Sequence, residues 1–170
     1  MNTSSDIRNG VILFTDLVGF TAYTDAHGDR SAVAVLDQQA GLVAAALDGH
    51  GRIVKELGDG LMVWFDDPTH ALHSTRTMLA SVSAARDADE FPLAVRMGMH
   101  VGDVIERGVD FIGRAVNIAA RVADLAGPGE LLVTEQFVCA LDDGSQAFRP
   151  VGPTRVKGVG SPIWLHRLAI

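Results

Sequence analysis

Residues 52–66, RIVKELGDGLMVWFD, decide the fold. Arg52 to Leu57 and Leu61 to Asp66 read as two strands, and Gly58-Asp59-Gly60 between them reads as a tight reversal, because glycine supplies the positive φ that such a turn needs. A hairpin excludes an all-parallel sheet. Working outward, Gly10 to Thr15 (GVILFT) is a short apolar run read as a buried strand. A first helical turn or two spans Thr21 to about His27. A longer helix covers Ser31 to Asp48, rich in alanine, leucine and valine at helical spacing and stopped by Gly49 and Gly51. Downstream, Pro68 opens a helix that runs to about Ala88, and Phe91-Pro92 breaks it. Leu93 to Val101 and Val104 to Arg107 read as a second hairpin around Gly102-Asp103. Gly113 to Leu125 is a helix closed by Gly127-Pro128-Gly129. Leu131 to Thr134 is a strand, Glu135 to Leu141 a short helix, and Phe148 to Val156 and Ile163 to Leu168 are terminal strands. Helices alternating with hairpins predict an α+β fold, with one mostly antiparallel sheet flanked by helices.

The chain of 170 residues reads as a single domain over 1–170, with a core from about 10 to 168. At 48% hydrophobic residues it can bury a full core. The net charge of −7 and the absence of a basic stripe argue against a nucleic-acid partner, so an anionic substrate would need local positive charge or metal. The single cysteine, Cys139, excludes an internal disulfide and a cysteine-rich zinc cluster, and fits a reducing compartment. No apolar run approaches the roughly 20 residues that span a bilayer. The polar stretch Met1 to Gly10 lacks a signal-peptide pattern. The expectation is therefore a cytoplasmic protein with no direct membrane contact from this segment.

Two aspartates carry the first chemical signal. Asp16, in FTDLVGFT, and Asp59 each follow an apolar strand and sit beside glycine. Carboxylates so placed can approach each other and a polyphosphate, with a divalent metal between them. Each could equally be an ordinary turn aspartate. The helix start after Asp16 brings the backbone amides of Gly19, Phe20 and Thr21 into play, since amides at a helix N-terminus bind phosphate oxygens. Asn117 and Arg121 stand four apart on a predicted helix and share a face. An amide and a guanidinium there can hold a ribose and a phosphoryl group, although a solvated helix face would look the same. His70 and His73 lack a third ligand for zinc. A P-loop signature is absent. Trp64, Phe65, Met97 and Met99 read as core or packing residues.

FTDLVGFT, KELGDGLMVWF, GMHVGDV, DFIGRAVNIAARV and VKG, in this order, resemble the catalytic domain of the class III nucleotidyl (adenylate/guanylate) cyclases over nearly the whole chain. The resemblance implies a ferredoxin-like core. It also implies that Asp16, Asp59 and the backbone carbonyl of Leu17 hold two Mg²⁺ (or Mn²⁺) ions. Lys55 and Asp110 resemble the pair that reads the adenine edge, Asn117 and Arg121 the pair that orients the ribose and stabilises the transition state, and Lys157 a lysine on the terminal phosphates. Members form head-to-tail dimers with shared sites, so a homodimer acting on ATP is implied. Lys55 only donates and the Asp110 carboxylate only accepts, which suits the N1 acceptor and N6 donor of adenine and opposes guanine. A guanylate or other nucleotidyl cyclase, a two-metal hydrolase and a catalytically silent nucleotide-binding module are the alternatives. One departure stands out: some relatives place a β-phosphate-binding arginine after the glycine of His100-Val101-Gly102, where this chain has Asp103. The implied contact is then absent, or supplied by Lys157 or a backbone amide.

Overall fold

The computed structural model describes residues 6–142 and 147–169. Its strands are β1 (Ile7–Val18), β2 (Arg52–Leu57), β3 (Gly60–Phe65), β4 (Ala94–Arg107), β5 (Asp110–Ile112), β6 (Leu131–Thr134), β7 (Phe148–Thr154) and β8 (Ile163–Leu168). The helices are α1 (Phe20–His27), α2 (Asp29–Leu47), α3 (Pro68–Asp87), α4 (Arg114–Leu125) and α5 (Glu135–Cys139). The strands join one sheet in the order β2-β3-β1-β4-β6-β8-β7, with β5 paired to β4. β2, β3, β1 and β4 pair antiparallel throughout, and among the described residues the one parallel pairing is that of β6 with β4. The first four strands with α2 and α3 make the split βαβ arrangement of a ferredoxin-like core, as the sequence implied.

Alternation along β1 explains the two layers. Val11, Leu13 and Leu17 face one side and pack with Val35 and Val43 of α2 and Met78 and Val82 of α3. Ile12 and Phe14 face the other side and pack with Met62, Trp64, Phe111 and three alanines of α4. Trp64, Phe65, Met97 and Met99 are all buried, as expected of core residues.

One expected hairpin is absent. Leu93–Val101 and Val104–Arg107 do not fold back around Gly102-Asp103; β4 runs unbroken through them, paired with β1 from Val18↔Ala94 to Ile7↔Ile105. The reversal comes later, at Gly108-Val109, where Gly108 takes φ +63° and β4 turns into β5. Gly102 serves close packing instead: a Cβ there would lie 3.0 Å from the Ala115 Cβ. At Gly98 a Cβ would lie 2.0 Å from the backbone nitrogen of Ala123. These two glycines form a groove along β4 into which Ala115, Ala119 and Ala123 of α4 settle, and this seam fixes the helix on the sheet.

Candidate active site

Register brings the two aspartates together. The β1–β3 ladder runs to Thr15↔Leu61, so one step further Asp16 faces Gly60, with Asp59 adjacent in the turn. Gly60 must be glycine, since a Cβ would lie 2.6 Å from the Thr15 carbonyl oxygen. Gly58 adopts φ +64° at the first turn position and leaves Asp59 at the second. Asp16 does not follow the first strand, as its place after Gly10 to Thr15 suggested, but lies inside β1, which continues to Val18. Beneath the turn, the Thr15 hydroxyl oxygen accepts from the Leu61 amide at 3.3 Å and from Gln39 Nε2 of α2 at 3.2 Å. This buried cross-brace ties helix, strand and turn into one platform.

Burial first, and then the negative charge and hydrogen bonding of Asp16, push the Asp59 carboxyl above its ordinary range; its own backbone amide and Arg96 pull the other way. Two acceptor-only groups held this close call for a proton or a cation between them. A pair of carboxylates with spare lone pairs fits hard divalent ions that keep other positions for phosphate oxygens and water. Beyond Thr15 the β1–β3 ladder has ended, so no β3 strand partner competes for the edge of β1 at Leu17. Gly19 takes φ +81° and starts α1, which has no side-chain cap, so no side chain competes for the first-turn amides around Phe20 and Thr21.

The remaining expected residues gather elsewhere. α4 buries Ala115, Ile118, Ala119, Val122 and Ala123, leaving Asn117 and Arg121 exposed on one face. Lys55, Asn117, Arg121 and Lys157 line a single cleft of about 690 Å³, together with Phe111 and Val116. Lys55 Nζ lies 2.8 Å from Asp110 Oδ2, and the Phe111 amide donates to Asp110 Oδ1 at 2.8 Å. The Lys55 hydrogen bond, aided by the Phe111 amide, holds the Asp110 carboxyl below its ordinary range despite partial burial. Lys157 stands exposed at a turn closed by Val159 N on Val156 O at 3.0 Å and anchored by buried Val156. Neither Asp16 nor Asp59 lines this cleft. The chain therefore presents two separate groups: a carboxylate platform and a cleft lined by Lys55, Asn117, Arg121 and Lys157.

Asp103 sits toward the opposite end of β4 from Arg96, accepting from Asn9 Nδ2 at 2.8 Å. His70 stacks on His50 at 4.0 Å between ring centroids rather than pairing with His73, and no cluster of three or more metal-ligating side chains occurs among the described residues. Sequence reasoning missed Thr15, Gln39, Gly98 and Arg96. Arg96 interrupts an apolar strand, a signal that was present, but its partner on β1 is visible only from the register.

The sequence profile of the "Adenylate and Guanylate cyclase catalytic domain" family matches residues 3–167. A pH-sensitive adenylate cyclase of Mycobacterium tuberculosis is 30% identical over 165 residues, which are 95% of this chain and 41% of that protein. The chain thus spans about two fifths of the length of this relative, and less of several others. Among solved structures, the adenylyl cyclase CyaB from P. aeruginosa superposes with a TM-score of 0.86 at 21% identity, covering 98% of this chain and 96% of that one. An adenylate/guanylate cyclase/hydrolase from Silicibacter pomeroyi gives 0.83 at 25% identity, covering 98% and 99%.

Proposed function

The chain belongs to the family of adenylate and guanylate cyclase catalytic domains, and on that premise we propose that it converts ATP to 3′,5′-cyclic AMP and pyrophosphate in a head-to-tail homodimer. The observation that carries the choice of ATP is the Lys55–Asp110 pair, a fixed donor beside a fixed acceptor at the edge of the cleft. Adenine offers the complementary acceptor and donor. Guanine offers the reverse, and each mismatched buried polar group costs about 1–3 kcal/mol.

In this reading Asp16, Asp59 and the Leu17 carbonyl hold two divalent cations, Mg²⁺ or Mn²⁺. When bound, such ions lower the pKa of the ribose 3′-hydroxyl and offset the charge of the departing pyrophosphate. Lys55 and Asp110 hold the base edge, and Asn117 orients the ribose so that O3′ faces the α-phosphorus. The new O3′–P bond forms as the bond from the α-phosphorus to the oxygen bridging it to the β-phosphate breaks; pyrophosphate leaves and the hydroxyl proton is released. Arg121 then stabilises charge on the α-phosphoryl oxygens, a preorganised term whose loss typically costs 10²–10³-fold in rate, roughly. Lys157 and the amides of Gly19, Phe20 and Thr21 hold the outer phosphates. The separation of the carboxylate platform from the cleft supports a site completed by a second copy, one protomer giving the aspartates and the other giving Lys55, Asp110, Asn117 and Arg121.

The deciding experiment is incubation of the purified protein with each nucleoside triphosphate and Mg²⁺ or Mn²⁺, followed by mass spectrometry of the products. Cyclic AMP from ATP, with a lower kcat/KM for GTP, is the expected result. Preferential cyclic GMP would overturn the base assignment, and linear AMP with no cyclic product would overturn cyclisation.

A further inference from the structure

Arg96 joins the two groups within one protomer. It is the direct cross-strand partner of Asp16. Its Nε donates to Asp16 Oδ2 at 2.7 Å, and Nη2 lies 2.5 Å from the same oxygen. Its third nitrogen, Nη1, donates to the backbone carbonyl of Asp124 at 3.1 Å, in the last turn of α4. Carbonyls in a last helical turn have no donor within the helix, so this contact is a cap. Three residues upstream of Asp124, Arg121 Nη1 lies 3.3 Å from the Asp124 carboxylate. A rigid planar guanidinium can span a carboxylate and a carbonyl in this way; a lysine ammonium on a flexible stem, a single nitrogen centre, does not reproduce that fork.

We propose that Arg96 is a positioning residue with two hands. One holds Oδ2 of Asp16 and thereby fixes the plane in which the other oxygen is offered to a cation. The other pins the end of the helix that carries Asn117 and Arg121. The proposal rests on the cyclase reading above. In a head-to-tail dimer Asp16 serves one composite site and Arg121 the other, so Arg96 ties an element of each site together within one protomer. Groups that orient a metal ligand typically govern affinity or activity by 10–100-fold, roughly.

The alternative is that Arg96 merely offsets negative charge, and the two roles predict opposite signs. As a counter-charge, Arg96 competes with the cation, so its removal tightens metal binding. As a positioning group, its removal weakens it. Arg96→Lys and Arg96→Gln are compared with the wild type by Mn²⁺ binding in electron paramagnetic resonance titrations without nucleotide, and by hydrogen exchange of the amides in the last turn of α4. Circular dichroism and thermal melting confirm that each variant folds. The expected result is about tenfold weaker Mn²⁺ binding in both variants and about tenfold faster exchange at the end of α4, with kcat lowered and KM for ATP changed less than about twofold. Tighter Mn²⁺ binding, wild-type behaviour of Arg96→Lys, unchanged exchange, or absence of Mn²⁺ binding in the wild type each overturns the proposal. If the wild type makes no cyclic nucleotide from any triphosphate, the cyclase reading fails on its own, because the Mn²⁺ and exchange comparisons need no turnover.

Discussion

The two charged pairs of this chain are built on opposite principles. Lys55 and Asp110 are of unlike sign, lie 2.8 Å apart and satisfy each other at a half-exposed position. Asp16 and Asp59 are of like sign, and burial with mutual repulsion raises the proton affinity of Asp59. The first pair is content alone and, in the proposed reading, offers a fixed donor and acceptor to a neutral, polar base edge. The second stays strained at Asp59 even with Arg96 on Asp16, and the backbone register of β1, β3 and the Gly58-Asp59 turn keeps its two carboxylates together. An electrostatically frustrated pair held by an apolar scaffold is a demand for a ligand; a neutralised pair is a template for one.

The contrast can be broken most severely by erasing the like-charge pair. Asp59→Asn should lower cyclisation by about 10³-fold or more, since the metal contribution is worth several kcal/mol, while the melting temperature stays level or rises because repulsion is relieved. Product assays and thermal melts on the same preparation check both halves, and a fall in both would mean that Asp59 is chiefly structural. Next, Arg121→Ala should cost about 10²–10³-fold in kcat. Mixed with Asp16→Ala protein, which should make no cyclic product alone, it should regain activity from one intact composite site per mixed dimer. No recovery despite demonstrated subunit exchange would place both charge groups in one protomer's own site.

Lys55→Glu makes the first pair resemble the second. Two mismatched polar contacts at ~1–3 kcal/mol each predict a fall of roughly 10²-fold in the ATP-over-GTP preference, read as a ratio of kcat/KM values. Unchanged preference would remove the pair from base recognition. A smaller effect sharpens the comparison with a group kept neutral by burial. His100, its Nδ1 2.8 Å from the Thr134 hydroxyl oxygen, is held down to about 4 from 6.5 by burial and by Arg114. The unfolded chain then binds a proton that the folded chain refuses, so stability falls as pH drops through the window from about 6.5 to about 4. Urea unfolding should show a loss of about 2 kcal/mol from this residue between pH 7 and pH 5, and His100→Asn should flatten the profile by that amount.

Much of this was readable in the chain. The β2–β3 turn announced itself because Gly58 supplies a backbone conformation that few residues reach, and the face of α4 because Asn117 and Arg121 fall one turn apart. The Gly102 turn was misread for a physical reason. A glycine is selected both where φ must be positive and where a neighbour leaves no room for a Cβ, and at Gly102 the neighbour is Ala115. Arg96 could not be paired from the sequence, because its partner lies eighty residues away along the chain.

What the sequence determined by itself was local: the periodicities of strands and helices, the turns, and the donor or acceptor character of each polar side chain. What tertiary structure alone decided was adjacency. Which strand residues stand opposite one another is set by the pairing of distant segments and by the small-residue seam that seats α4. A shift of one residue in that pairing would leave every local preference intact and turn Asp16 away from both Asp59 and Arg96.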